Sequence, residues 1–154
     1  MDGTPRRLAG YQWEPQVEYR MFVIHDPGAE AFAGAVPASG QLLLPEPGGV
    51  VVGSGGNDFY PAVTVESWDG APPPDAGTWD AVEEADMHLP SGRLQAESVL
   101  AAYASPIITL GEPGWYRIRA HCRGRVEAGS RVGRGELYYH GVEEWLMQVW
   151  PVAR

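Results

Sequence analysis

The side chains that could carry acid–base, nucleophilic or metal chemistry are four histidines, His25, His88, His121 and His140, one cysteine, Cys122, and twenty carboxylates in 154 residues. No two histidines stand four apart and no His-Glu-x-x-His run exists, so no helix face offers a pair of metal ligands. His121 and Cys122 are neighbours, and on a strand neighbours point to opposite faces. A three-histidine site assembled from separate strands is the remaining metal alternative. Cys122 falls in an apolar row and reads as a small buried hydrophobe. The doublets Glu83-Glu84 and Glu143-Glu144 diverge on strands, unlike the facing carboxylates of a glycosidase. Gly53-Ser54-Gly55-Gly56-Asn57-Asp58 follows a strand, as a phosphate loop would. It has neither the G-x-G-x-x-G spacing nor a following Gly-Lys, and Val52 denies it the G-x-S-x-G elbow. The chain has no lysine, which removes Schiff-base, Walker-lysine and Ser-Lys mechanisms. We therefore expect no enzyme, no catalytic residue, no metal and no cofactor.

Charge is more informative than chemistry. Eleven arginines against twenty acids give a net charge of −9 and a pI near 4.8, the wrong sign for neutralising nucleic-acid phosphates. The acids are not spread evenly. Met21 to Gly92 holds no arginine but eleven carboxylates, including Asp26, Glu30, Glu46, Asp58 and Glu66. The other six, Asp69, Asp75, Asp80, Glu83, Glu84 and Asp86, lie around the proline run Pro72 to Pro74. These six are the candidate binding residues: with no Lys or Arg beside them in sequence, their field should reach solvent and steer a basic partner. The competing reading is a solvated surface attracted to the arginine-rich half of the same fold. Six tryptophans, Trp13, Trp68, Trp79, Trp115, Trp145 and Trp150, support a small-ligand or carbohydrate-binding alternative through aromatic stacking.

These residues must be positioned by short strands. Gly and Pro together make 34 residues, which favours turns over helices. Apolar or alternating runs mark strands at Val17 to His25, Leu42 to Leu44, Val50 to Val52, Ala62 to Ser67, Val82 to Leu89, Arg93 to Leu100, Pro106 to Leu110, Trp115 to Cys122 and Val142 to Trp150, although Thr78 to Leu89 also admits a helix capped by Thr78, with Asp80, Glu83 and Glu84 at its N-terminus. Pro90-Ser91-Gly92 reads as a hairpin turn, and residues 123–141 as a flexible glycine-rich loop. On Trp115 to Cys122, alternation places Tyr116, Ile118, Ala120 and Cys122 inward and Arg117, Arg119 and His121 outward. The pattern predicts an all-β fold: a single-domain antiparallel β-sandwich over residues 1–154, of roughly seven to nine strands. The first ten residues hold no apolar run, and none approaches the roughly 18 apolar residues of a membrane span. A cytoplasmic location without membrane association is expected.

The carboxy-terminal half resembles a family of small β-sandwich proteins from high-GC bacteria. The matching runs are Leu89-Pro90-Ser91-Gly92-Arg93-Leu94, Pro113 to Arg125 and Val142 to Pro151. More remotely, an early strand like Tyr19 to Asp26 and a late Pro-Gly-x-Tyr strand like Pro113 to Tyr116 resemble the competence nuclease inhibitor (ComJ-like) family. That resemblance implies a β-sandwich and a non-catalytic inhibitor or immunity protein acting on a nuclease or toxin. Its motifs are turns and strands, so it brings no catalytic residues.

Overall fold

The computed structural model describes residues 3–29, 34–100 and 103–154; Glu30 of the acidic stretch lies outside them. In chain order the elements are β1 (Arg7–Trp13), β2 (Met21–His25), β3 (Leu43–Glu46), β4 (Gly49–Gly53), β5 (Tyr60–Trp68), β6 (Ala81–Leu89), β7 (Arg93–Ser98), β8 (Ile108–Thr109), β9 (Gly114–Arg123), α1 (Arg125–Gly133) and β10 (His140–Pro151). Two five-stranded sheets pack face to face, ordered β1-β5-β10-β9-β6 and β3-β4-β2-β7-β8. The described residues thus form ten strands, one above the upper bound expected. The first sheet is mixed, because β10 lies antiparallel to β9 but parallel to β5.

Period-2 patterning explains the core. Val63 and Val65 of β5, Ile118 and Ala120 of β9, and Trp145, Met147 and Val149 of β10 face Phe22, Ile24, Val50 and Val52 of the second sheet. The Trp145 ring meets Phe22 edge-on at 5.9 Å. Tyr116, Ile118, Ala120 and Cys122 are buried as their alternation predicts.

Four local expectations change. Arg119 and His121 do not face solvent; they are 8% and 0% exposed. The segment between β5 and β6 lies over them: Arg119 Nη1 donates to the Pro72 carbonyl at 2.8 Å, and the Asp75 N–H donates to His121 Nε2 at 3.2 Å. The strand read from Val17 begins only at Met21, because Tyr19 and Arg20 take φ of 55° and 62° in a tight turn closed by Glu18 and Met21. Pro90-Ser91-Gly92 is not a hairpin turn, since β6 and β7 belong to different sheets. The buried Asp26 carboxylate fixes that crossing by accepting from Ser91 N and Oγ at 2.8 and 2.7 Å. Burial opposes its charge, but hydrogen bonds from Ser91 and Gly28 outweigh this and hold its carboxyl below the usual range. Finally, the glycine-rich stretch 123–141 contains α1. Its start needs glycine: Gly124 has φ 88°, and a Cβ there would collide with the Val142 carbonyl. Arg131 pairs with Glu127 one turn away at 3.0 Å and with Glu136 at 3.0 Å, and Ala128 seats the helix on the core.

Ile118 is fully buried at the middle of β9. Ile118→Ala is expected to cost about 2–5 kcal/mol in denaturant unfolding. A loss below about 0.5 kcal/mol would place the packing centre elsewhere.

Candidate functional site

The structure gathers the six candidate acids along β6 and the strap before it, and gives every one a partner. β6 lies beside β9 with Glu84 opposite Arg119 and Asp86 opposite Arg117. Both pairs close as salt bridges, at 2.8 and 2.7 Å, and Arg154 also reaches Asp86 at 3.5 Å. Asp69 pairs with Arg6 at 3.5 Å. The other three meet only neutral donors. Glu83 accepts from the Leu42 and Leu43 N–H groups at 2.9 and 3.2 Å. Asp80 accepts from Gly124 N at 2.9 Å. Asp75 accepts from Gly77 N and the Trp79 indole, both at 2.9 Å. Those two hydrogen bonds hold the Asp75 carboxyl below its ordinary value, against burial. The arginines thus split the six: Asp69, Glu84 and Asp86 have an arginine within ion-pair distance, and Asp75, Asp80 and Glu83 do not.

Asp75 and Trp79 form one wall of a groove of about 670 Å³ on the outer face of the first sheet. Its floor is Ala62 and Thr64 of β5 and Leu146 of β10, and Glu14, Arg123 and Glu144 stand around it. Arg123 lies 4.6 Å from the Trp79 ring centroid and bonds Glu144 at 2.7 Å. Arginines also cover Trp150 and Trp115, with Arg119 at 4.8 Å and Arg154 at 4.0 Å. Trp145 is core. Four of the six tryptophans therefore have an occupied face, unlike the open platforms that sugar stacking requires.

Sequence reasoning missed Glu143. It sits in the inward row of β10 at 0% exposure, accepting from Ser54 Oγ, Gly55 N and Trp145 Nε1 at 2.8, 2.9 and 2.7 Å. Burial pushes its carboxyl above the ordinary value despite these donors. The signal was present: a carboxylate in an otherwise apolar register must find buried donors. Cys122 lies inert in the same region, its thiol pushed up by burial and by Glu143. His121 is a core group whose Nδ1 donates to the Leu146 carbonyl at 3.1 Å. No three potential metal ligands gather among the described residues, and no described helix is long and apolar enough to cross a membrane.

No family model and no curated protein matches the sequence. Two solved structures share the fold. One is ComJ from Bacillus subtilis, inhibitor of the DNA-degrading activity of NucA: 8% identity, TM-score 0.63, covering 97% of this chain and all of that one. The other is the product of crocagin biosynthetic gene J: 18% identity, TM-score 0.51, covering 97% of this chain and 99% of that one. At these identities the likeness is one of fold. It extends the ComJ-like resemblance from scattered motifs to nearly the whole chain.

The Asp86–Arg117 ion pair sets an acid limit. The Arg117 hydrogen bonds hold the Asp86 carboxyl below its ordinary 3.8. Its stabilisation is thus full above that value and is lost as pH falls through the lower folded value. Asp86→Asn is expected to flatten the fall in stability below pH 3.8 in denaturant titrations at stepped pH. An unchanged acid limb would show that this pair adds nothing.

Proposed function

We propose that the chain is a non-catalytic protein-binding module, an inhibitor or immunity protein for a basic partner such as a nuclease or toxin. Its binding face draws on Asp69, Asp75, Asp80, Glu83, Glu84 and Asp86. One observation carries the reading. Exposed Asp75 and Asp80 accept only from neutral N–H groups, with no cation in ion-pair distance among the described residues, so their charge remains for a partner. The fold shared with a protein described as a nuclease inhibitor supports it. So does the overall excess of nine negative charges.

On this reading the division among the acids suggests different roles for them. Glu84 and Asp86 are cross-strand partners of Arg119 and Arg117 and shape the face more than they charge it. Asp75 and Asp80 flank Trp79 on a strap stiffened by Pro72, Pro73 and Pro74, which loses little entropy on docking. The strap's charge would steer a basic protein over a Debye length of about 8 Å at physiological salt.

The test pairs this protein with a basic nuclease or toxin encoded beside its gene. DNA degradation and stopped-flow association are followed at low and physiological salt. Stoichiometric inhibition is expected, with association slowing as salt rises. Asp75→Asn with Asp80→Asn should lower the on-rate more than it raises the off-rate. A complex whose on-rate ignores both salt and these substitutions would move the interface off this face. Absence of any complex would end the reading for that partner class.

A further inference from the structure

Eight of the eleven arginines reach a carboxylate within 4.0 Å: Arg6, Arg7, Arg117, Arg119, Arg123, Arg131, Arg134 and Arg154. Among the described residues, Arg20, Arg93 and Arg125 have no such partner; Arg93 donates to Ser91 Oγ at 3.3 Å, whereas Arg20 and Arg125 line one cavity of about 460 Å³. Their present contacts are long hydrogen bonds to main-chain carbonyls, Arg20 Nη1 to Gly55 and Arg125 Nη2 to Gly53, each at 3.3 Å. Arg125 Nε is fully buried and makes no hydrogen bond. A buried guanidinium donor left unpaired in so acidic a chain is a cost that needs an explanation. Glu143 attracts Arg125 electrostatically, but its oxygens are already committed to Ser54, Gly55 and Trp145.

We propose that this cavity, between the start of β2, residues 36–41, the end of β4 and the start of α1, binds a carboxylate carried on an apolar group. The residues around it are built for close approach. The Gly53-Ser54-Gly55-Gly56 run, which fails every phosphate-loop pattern, here brings main chain against main chain. A Cβ at Gly53 would strike the Gln41 carbonyl, and one at Gly55 the Arg125 carbonyl. Arg20 is held in left-handed backbone by Asn57 Oδ1, which accepts its N–H at 3.1 Å, and by Ser54 N, which donates to its carbonyl at 2.9 Å. Residues held in that region cost energy and cluster at ligand sites.

The chemistry of the lining selects carboxylate over phosphate. A phosphate cradle needs free main-chain N–H groups. Here Gly53 N donates to Leu42, Ser54 N to Arg20, Gly55 N to Glu143 and Gly56 N to Ser54 Oγ. The charged donors of the lining are two guanidinium forks, whose planar geometry fits a carboxylate. Tyr19 and Val36 at the cavity are 67% and 64% exposed and offer apolar surface to the rest of the ligand. None of the six candidate acids lines the cavity, so the site does not depend on the protein-binding face.

The test is a titration of 15N-labelled protein with three probes: N-acetyl-leucine, its carboxamide and inorganic phosphate. N-acetyl-leucine is expected to move the Gly53 and Gly55 amide and Arg125 Nε resonances, while the carboxamide and phosphate leave them in place. Arg20→Gln replaces an exposed side chain, so its spectrum should otherwise match the parent and its affinity should fall about tenfold. No shift at about 10 mM N-acetyl-leucine, an equal response to the carboxamide, tighter binding of phosphate, or an unaltered affinity in Arg20→Gln would each overturn the proposal.

Discussion

The buried guanidinium of Arg119 is the point on which the outer face of the first sheet depends. Burying an arginine is costly unless its charge and its donors are all met. Here Nε meets Glu84 on β6, Nη1 meets both the Pro72 carbonyl and Gln148 on β10, and the plane rests over Trp150. One side chain on β9 therefore ties the strap to the sheet and two neighbouring strands to each other. His121, two residues on, repeats the device through Asp75 N and the Leu146 carbonyl. With the strap tied at Pro72 and Asp75, Trp79 is held on the sheet by Asp75, the Arg123 guanidinium and the His121 ring, beside the groove.

That arrangement gives the negative charge a finer meaning than its total. A carboxylate opposite an arginine contributes order; one held by amide or indole N–H groups contributes a field. Asp86 and Glu84 are of the first kind, and Asp75, Asp80 and Glu83 of the second. The positive charge divides likewise: most arginines are spent on pairs or laid over indoles, Arg93 rests on the Ser91 hydroxyl, and Arg20 and Arg125 at the end of β4 rest on carbonyls. The same −9 would mean something different had the pairing been even.

Much of the fold was legible in the sequence because strand patterning is local. The alternation of β9 identified its core face from Tyr116 to Cys122, and runs at Leu42 and Val50 marked the β3–β4 pair. The other face of β9 was misread because its cover comes from about fifty residues upstream, and three prolines with small neighbours carry no sign of the sheet they will lie on. The acids were recognised but their partners were not. Glu84–Arg119 and Asp86–Arg117 are set by cross-strand register, which is not encoded near either residue. β1 is exposed along most of its length and gave no apolar signal. Glu143 stood out in an apolar row, but its donors Ser54 and Gly55 lie far off in sequence, and the Arg20–Arg125 cavity is likewise assembled from separated segments.

Glu83 has a consequence beyond charge. A β-sandwich has open borders, where unpaired N–H and C=O groups invite another chain to add a strand. By taking the Leu42 and Leu43 N–H groups, the Glu83 carboxylate occupies the donors that the rim of the second sheet would offer to a stranger, and it does so from the rim of the first. Two borders thus seal each other. At the far end of the first sheet, β1 is interrupted by a register shift between Arg7 and Ala9, and at the far end of the second, β8 is only two residues long. Among the described residues, the ten strands are left with little flat, unguarded border on which copies could polymerise.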